Sequence, residues 1–419
     1  MNKSLPARAL FYAVIVSIFV AMISAAILLS SYHQHMLVSQ HQKQRQLMDN
    51  CQSGIELLLA TSTAPTSPLQ VDLFQQGKDS VWLEQRPWGL LEVALVKSWA
   101  GQGWYRDSVQ QIFFLGKELP PYALKLSEGN APLYVCGNTK ITGDAFLPTE
   151  GVKRGYFNAV RGKPYTGEKL IYGEKKVVQY TNMNFLKEHF ASLALLKNAS
   201  PNTPLQGDSI LQTFDKPTLV AGGEDWTTGN IVAKGNVLLI AYEHLQVSAQ
   251  SILEDVILMA PQITIEAGFQ GSIQAFAWDS LVVEEGVNLT FPSVLSLLPP
   301  EQTPTTSPEL IIGEQVEVYG TILVPSFQYY KYKARVSIAP TSTIVGQVWV
   351  NGFLEQKGKV HGTVFCDKFL LTTPAGVYEN YLLDAIINRT QVPEFYLTPP
   401  ILGEKKKQEI LKYLPNRIE

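Results

Sequence analysis

Between Leu245 and Leu298 the sequence divides into three windows of 18 residues, opening LQVSAQ, ITIEAG and LVVEEG. Leu245, Ile263 and Leu281 fall in one column, and Val247, Ile265 and Val283 in another. A fixed period near 18, rich in β-branched residues and free of a long helical pattern, predicts stacked coils of a β-solenoid. One such coil cannot bury its apolar face alone, so each must lie on its neighbours. An antiparallel sandwich of unrelated strands is the alternative, but it gives no reason for columns to match at a fixed period.

The repeat continues once insertions are removed. From Leu281 the next opening is LIIGEQ at Leu310, a step of 29 that contains the 11-residue PPEQTPTTSPE from Pro299 to Glu309. That Pro/Thr-rich stretch reads as a surface loop. A step of 26 leads to Val336, with Phe327–Ala334 as its excursion, and Leu354 follows 18 residues later. Gly320, Gly346 and Gly362 each precede a strand-like segment (GTI, GQV, GTV), where a tight corner requiring positive φ is expected.

At the start of the chain, Ala9 to Tyr32 carries no formal charge, and these 24 residues as helix would span about 36 Å, enough for a bilayer core. Lys3 and Arg8 before it, against Lys43 and Arg45 after it, favour an N-terminus inside and the bulk of the chain outside the cytoplasm. A cleaved signal peptide is the rival reading, with Ser24-Ala25-Ala26 as a small-residue site. No proline interrupts Ala7 to Ala64, and Gly54 is the only glycine there. Met36, Leu47, Cys51, Ile55 and Leu58 make a sparse apolar stripe, so one helix of about fifty residues is expected, docking through Asp49–Ser62.

The run LFYAVIVSIFVAMISAAILL followed by NCQSGIELLLA resembles the N-terminal helix of type IV pilins and PilX-type minor pilins, over about the first 60 residues. The chain has no glycine before Gly54 and no acidic residue before Asp49, so the likeness does not extend to the pilin processing motif. Its coils VYGTILV and IVGQVWV are similar to those of bactofilin-like, polymer-forming β-helix proteins. These resemblances imply assembly with itself or with pilin-like envelope proteins.

The expected organisation is therefore a transmembrane and stalk helix over 1–62, then an irregular mixed region over 63–206. The main solenoid follows over 207–375, and a C-terminal helical cap over 376–419. In the mixed region, LEVALVKSWA and QQIFFLGK read as paired strands, and the tryptophans (Trp82, Trp88, Trp99, Trp104) as core. ITGDAFL echoes the later coils and suggests first coils of the solenoid, interrupted by a helix over Asn184–Lys197. YENYLLDAIINRT and EKKKQEILKYL suggest the two short helices of the cap.

Charged residues make up 17% of the chain and the net charge is −3, with no basic cluster beyond Lys405–Lys407, which argues against nucleic acid as a partner. Cys51, Cys136 and Cys366 are too few for a disulfide scaffold and read as buried thiols. His33, His35 and His41 lack the i, i+4 spacing of a metal pair, and His361 stands alone. No nucleophile motif, phosphate loop or cofactor motif is present. Glu266 and Glu284 share a column about 4.8 Å apart, as a ladder of solvated carboxylates or as a pair for glycan chemistry. Phe327, Tyr329, Tyr330 and Tyr332 concentrate aromatics among three cations, as glycan- or protein-contact residues or as a cover for one flank.

Together these features predict a non-enzymatic structural or assembly protein of the cell envelope. A single helix would cross the cytoplasmic membrane and present the solenoid outside. The rival classes are a membrane-anchored carbohydrate-active enzyme and a glycan-binding module.

Overall fold

Without proline, and with one glycine, the stretch after Pro6 has nothing to stop a helix. The computed structural model describes residues 7–60, 68–73, 79–100, 107–155, 209–298, 307–325, 333–403 and 407–417. It is mostly β with one long N-terminal helix, α1, over Ala7–Ala60. At 1.5 Å per residue its 54 residues extend about 81 Å. The chain forms two compact units: Met1–Leu58 with Thr66–Glu84 and Val96–Gln111, and Leu59–Pro65 with Gln85–Leu95 and Ile112–Glu419.

In the first unit the helix is exposed from Leu10 to Gln46, apart from a half-buried Ile15, and then buries Leu47, Asn50, Cys51, Gly54, Ile55 and Leu58. Their spacing of three and four places one stripe along the last turns. That stripe meets a sheet in which Leu69–Val71 pairs antiparallel with Val81–Leu83. Ser98 Oγ donates to Leu47 O at 2.6 Å, and Cys51 Sγ to Val96 O at 3.7 Å. Gly54 is required by space, since a Cβ there would stand 2.5 Å from Val81 Cγ1 and 2.9 Å from Val96 Cγ1. Met36, expected on the same stripe, is exposed.

The second unit is built on a 17-stranded sheet whose ladders are parallel, apart from a terminal hairpin of Leu370–Thr373 with Gly376–Glu379. The column anticipated from the 18-residue period is its register: Leu245 pairs with Ile263, Ile263 with Leu281, Leu281 with Leu310, Leu310 with Val336 and Val336 with Leu354. Every one of these side chains is buried. The 14-residue strands Ile252–Ile265 and Gln270–Val283 carry apolar runs that alternation would not predict. Burial on both faces explains them. Leu239, Leu258, Ala275, Leu295, Ile322, Val348 and Val364 point into one core enclosed by the parallel strands. Their neighbours Ile240, Met259, Phe276, Leu323, Trp349 and Phe365 point the other way, into a second core with Trp88, Leu91, Phe114 and Phe214.

Three expectations are corrected. The segment around ITGDAFL does join the parallel ladders, but after the last repeat instead of before the first. Leu124 pairs with Val364 and Ala145, and Ile141 with Ile387. The cap is not helical: Gly376–Glu379, Tyr381–Leu383, Ile386–Asn388 and Glu409–Leu414 are strands, joined by a 3-10 turn at Arg389–Gln391. Asn380 and Asp384, at φ 58° and 54°, turn the chain between the first three. Leu382 and Ile387 then reach the enclosed core, and Glu409–Leu414 pairs antiparallel with Ile112–Gly116. Thirdly, Gly346 and Gly362 have the expected positive φ, at 138° and 152°, but Gly320 does not. Its requirement is room, because a Cβ would lie 1.8 Å from Ser293 O. The helix expected over Asn184–Lys197 lies outside the described residues.

Candidate functional site

Glu266 and Glu284 follow the paired residues Ile265 and Val283, so the expected column is present. Each carboxylate is an acceptor for a turn amide 17 residues earlier in the chain. Ala249 N–H donates to Glu266 at 3.0 Å and Ala267 N–H donates to Glu284 at 3.0 Å. Ala249 N–H, with the Gln246 amide, holds the Glu266 carboxyl below the usual carboxylate range. The ladder thus satisfies backbone donors at the corners, where the parallel ladders stop. Phe327, Tyr329, Tyr330 and Tyr332 lie outside the described residues. Of the tryptophans, Trp88 is buried, Trp82 and Trp99 are half-buried, and Trp104 lies outside the described residues.

The charged cluster that sequence reasoning passed over is centred on Asp255. A bulge between Glu254 and Val256 puts Asp255 at φ 52° and lets two successive carboxylates line one cavity. In a regular strand they would point to opposite faces. The cavity, about 210 Å³, is also lined by Phe214, Lys234, Arg417 and neighbouring backbone. Lys234 Nζ lies 3.4 Å from Glu254, while Lys412 donates to both Asp255 oxygens at 2.7 and 2.8 Å. Burial pushes the Asp255 carboxyl up, against the pull of the Lys412 ammonium and the Ser272 hydroxyl. Both carboxylates are engaged by an ammonium, so the arrangement is an ionic tie. Adjacent acids in sequence gave a weak signal, and a partner 157 residues away gave none.

A second buried carboxylate, Glu355, accepts from Arg335, from Lys357 at 2.8 Å and from the Thr372 hydroxyl at 3.0 Å. Burial works to raise its pKa, but these donors outweigh it and hold the carboxyl low. Cys51, Cys136 and Cys366 are buried free thiols. Burial pushes all three up, Cys51 to about 11. Among the described residues no group of His, Cys, Asp and Glu has the arrangement of a metal site.

The remaining surface with a distinctive chemistry is α1 itself. It is long and apolar enough to cross a membrane, with none of its apolar window buried in the protein. Leu10, Phe11, Phe19, Ile27 and Leu28 are all more than half exposed. Comparison with protein-family models, with curated proteins and with solved structures returns no match.

Proposed function

We propose that this chain is a non-enzymatic structural or assembly protein of the cell envelope. It is anchored in the cytoplasmic membrane by α1, with the N-terminus inside, and presents a β-solenoid on the outer side. One observation carries the reading: a single uninterrupted helix is bare and apolar at one end and, at the other, buried to Leu58 in a folded unit. Exposing some twenty apolar residues to water would be very unfavourable, whereas a bilayer core accommodates them. The parallel 18-residue register and the corner ladders support a rigid scaffold, and the resemblance to minor pilins supports assembly with itself or with pilin-like partners.

The test is membrane fractionation of cells with a protease-accessibility probe, followed by N-terminal sequencing. An intact N-terminus in carbonate-washed membranes, with the β-structure degraded only when protease reaches the outer side, is the expected result. A soluble, trimmed protein would reject the anchor.

A further inference from the structure

We infer that the helical segment His33–Arg45 is a collar for anionic phospholipid headgroups of the membrane crossed by the preceding run; this rests on the anchor reading above. From Ala7 to Met48 the chain has no Asp or Glu, the first acid being Asp49. Immediately after the uncharged run come His33, His35, His41, Lys43 and Arg45, all exposed, interspersed with Gln34, Gln40, Gln42 and Gln44.

Their angular placement selects the occupant. At 100° per residue, and taking His33 as zero, His41 and Arg45 stand at roughly 80° and 120°, His35 and Lys43 at roughly 200° and 280°. The two fixed charges, Lys43 and Arg45, stand roughly 160° apart, and the imidazoles, neutral at pH 7, set N–H donors around the rest of the helix. A protein partner docks on one side and would be met by a stripe, as Leu47, Cys51, Ile55 and Leu58 are within the first unit. Lipid surrounds a spanning helix on every side.

The heights fit as well. His33 and His35 stand about 1.5 and 4.5 Å beyond Tyr32, inside a headgroup layer about 5–7 Å deep. Lys43 and Arg45, about 16 and 20 Å out, lie above the layer. Their long side chains and helix tilt bring them within reach of its negative potential, which decays over about 8 Å. Cations on the translocated flank oppose the positive-inside bias, so topology alone does not account for them.

The full chain is reconstituted in phosphatidylcholine vesicles containing one quarter phosphatidylglycerol, extracted in mild detergent, and its retained lipid quantified. Wild type is expected to retain phosphatidylglycerol enriched about threefold over the bulk ratio. The variant carrying H33Q, H35Q, H41Q, K43Q and R45Q is expected to lose most of that enrichment while staying in the membrane fraction. Enrichment absent from wild type, or unchanged in the variant, overturns the collar. Loss of both proteins from carbonate-washed vesicles would instead show that the anchor reading had failed and would take the collar with it. Cross-linking of wild type through this segment to a second copy, without lipid enrichment, would assign the ring to self-association and overturn it too.

Discussion

The ammonium of Lys412 sits 2.7 and 2.8 Å from the two carboxylate oxygens of Asp255, and each residue lies at or beside an irregularity in its strand. Asp255 is the extra residue of a bulge, and the Glu409–Leu414 ladder shifts register between Ile410 and Lys412. This pair ties the C-terminal strand to the strand Ile252–Ile265. Lys412→Met leaves a buried carboxylate without its counter-charge and is expected to cost about 3 kcal/mol. Lys412→Met combined with Asp255→Asn removes both charges and should recover most of that loss. Because the folded carboxyl is raised, the folded state binds this proton more tightly than the unfolded chain does. Its contribution to stability is therefore greatest at low pH and falls as pH rises from the unfolded value through the folded one. Urea midpoints across a pH series should show that fall, steeper in Lys412→Met. A flat profile in that variant would mean that solvent reaches the carboxylate.

The glycine column supports a second expectation. A Cβ on Gly346 would stand 2.1 Å from Gly320 O and 2.1 Å from Tyr396 Oη, at a backbone φ of 138°. Gly346→Ala should cost about 3 kcal/mol, from overlap and backbone strain together. Tyr396→Phe, which removes only the 2.9 Å bond to Gly320 O, should cost about 1 kcal/mol. The double variant should stay unstable, because the clash with the Gly320 carbonyl remains. Thermal melts of the three proteins decide the ordering.

Columns such as Leu245, Ile263 and Leu281 were legible because residues paired in successive parallel ladders recur at a fixed sequence period. The fate of ITGDAFL was not, because Ile141 meets Ile387 across a separation no local pattern encodes. YENYLLDAIINRT misled because its apolar residues fall three and four apart, as on a helix, while Asn380 and Asp384 break the backbone between them. At the candidate sites, the shared column of Glu266 and Glu284 was visible and their bonds to turn amides were not. Asp255 was invisible as a pair member: bulges are conformations, and its partner is tertiary.

Acid sensitivity should centre on Glu355. Arg335, Lys357 and Thr372 hold its carboxyl low, so its contribution is present above the unfolded pKa and lost as pH falls through the folded one. Arg335 and Lys357 are about a third exposed, which weakens the pair by solvent screening. Glu355→Gln is accordingly expected to cost about 1.5 kcal/mol at neutral pH. In acid, where wild type has itself lost the charge, the two proteins should converge. A difference in denaturant midpoint that persisted at low pH would place the effect in packing.

The docked end of α1 gives the last expectation, with its own internal control. Cys51 is sealed against Val96, and burial raises its thiol to about 11, so it should resist alkylation at neutral pH. Gly54→Ala and Gly54→Leu both gain up to about 1 kcal/mol in helix propensity. Against that gain, the new side chain must displace Val81 and Val96, whose methyls lie 2.5 and 2.9 Å from the Cβ position. Leucine adds bulk without further helix gain, so the steric term should dominate there. Cys51 should then react many times faster in Gly54→Leu than in wild type. Cys136 and Cys366, in the second unit, should stay protected in both proteins, so mass-spectrometric mapping of alkylated peptides separates undocking of the helix from general unfolding. Equal labelling of all three thiols would mean that the substitution had unfolded the whole chain; an unreactive Cys51 would mean that the sheet accommodates the larger side chain.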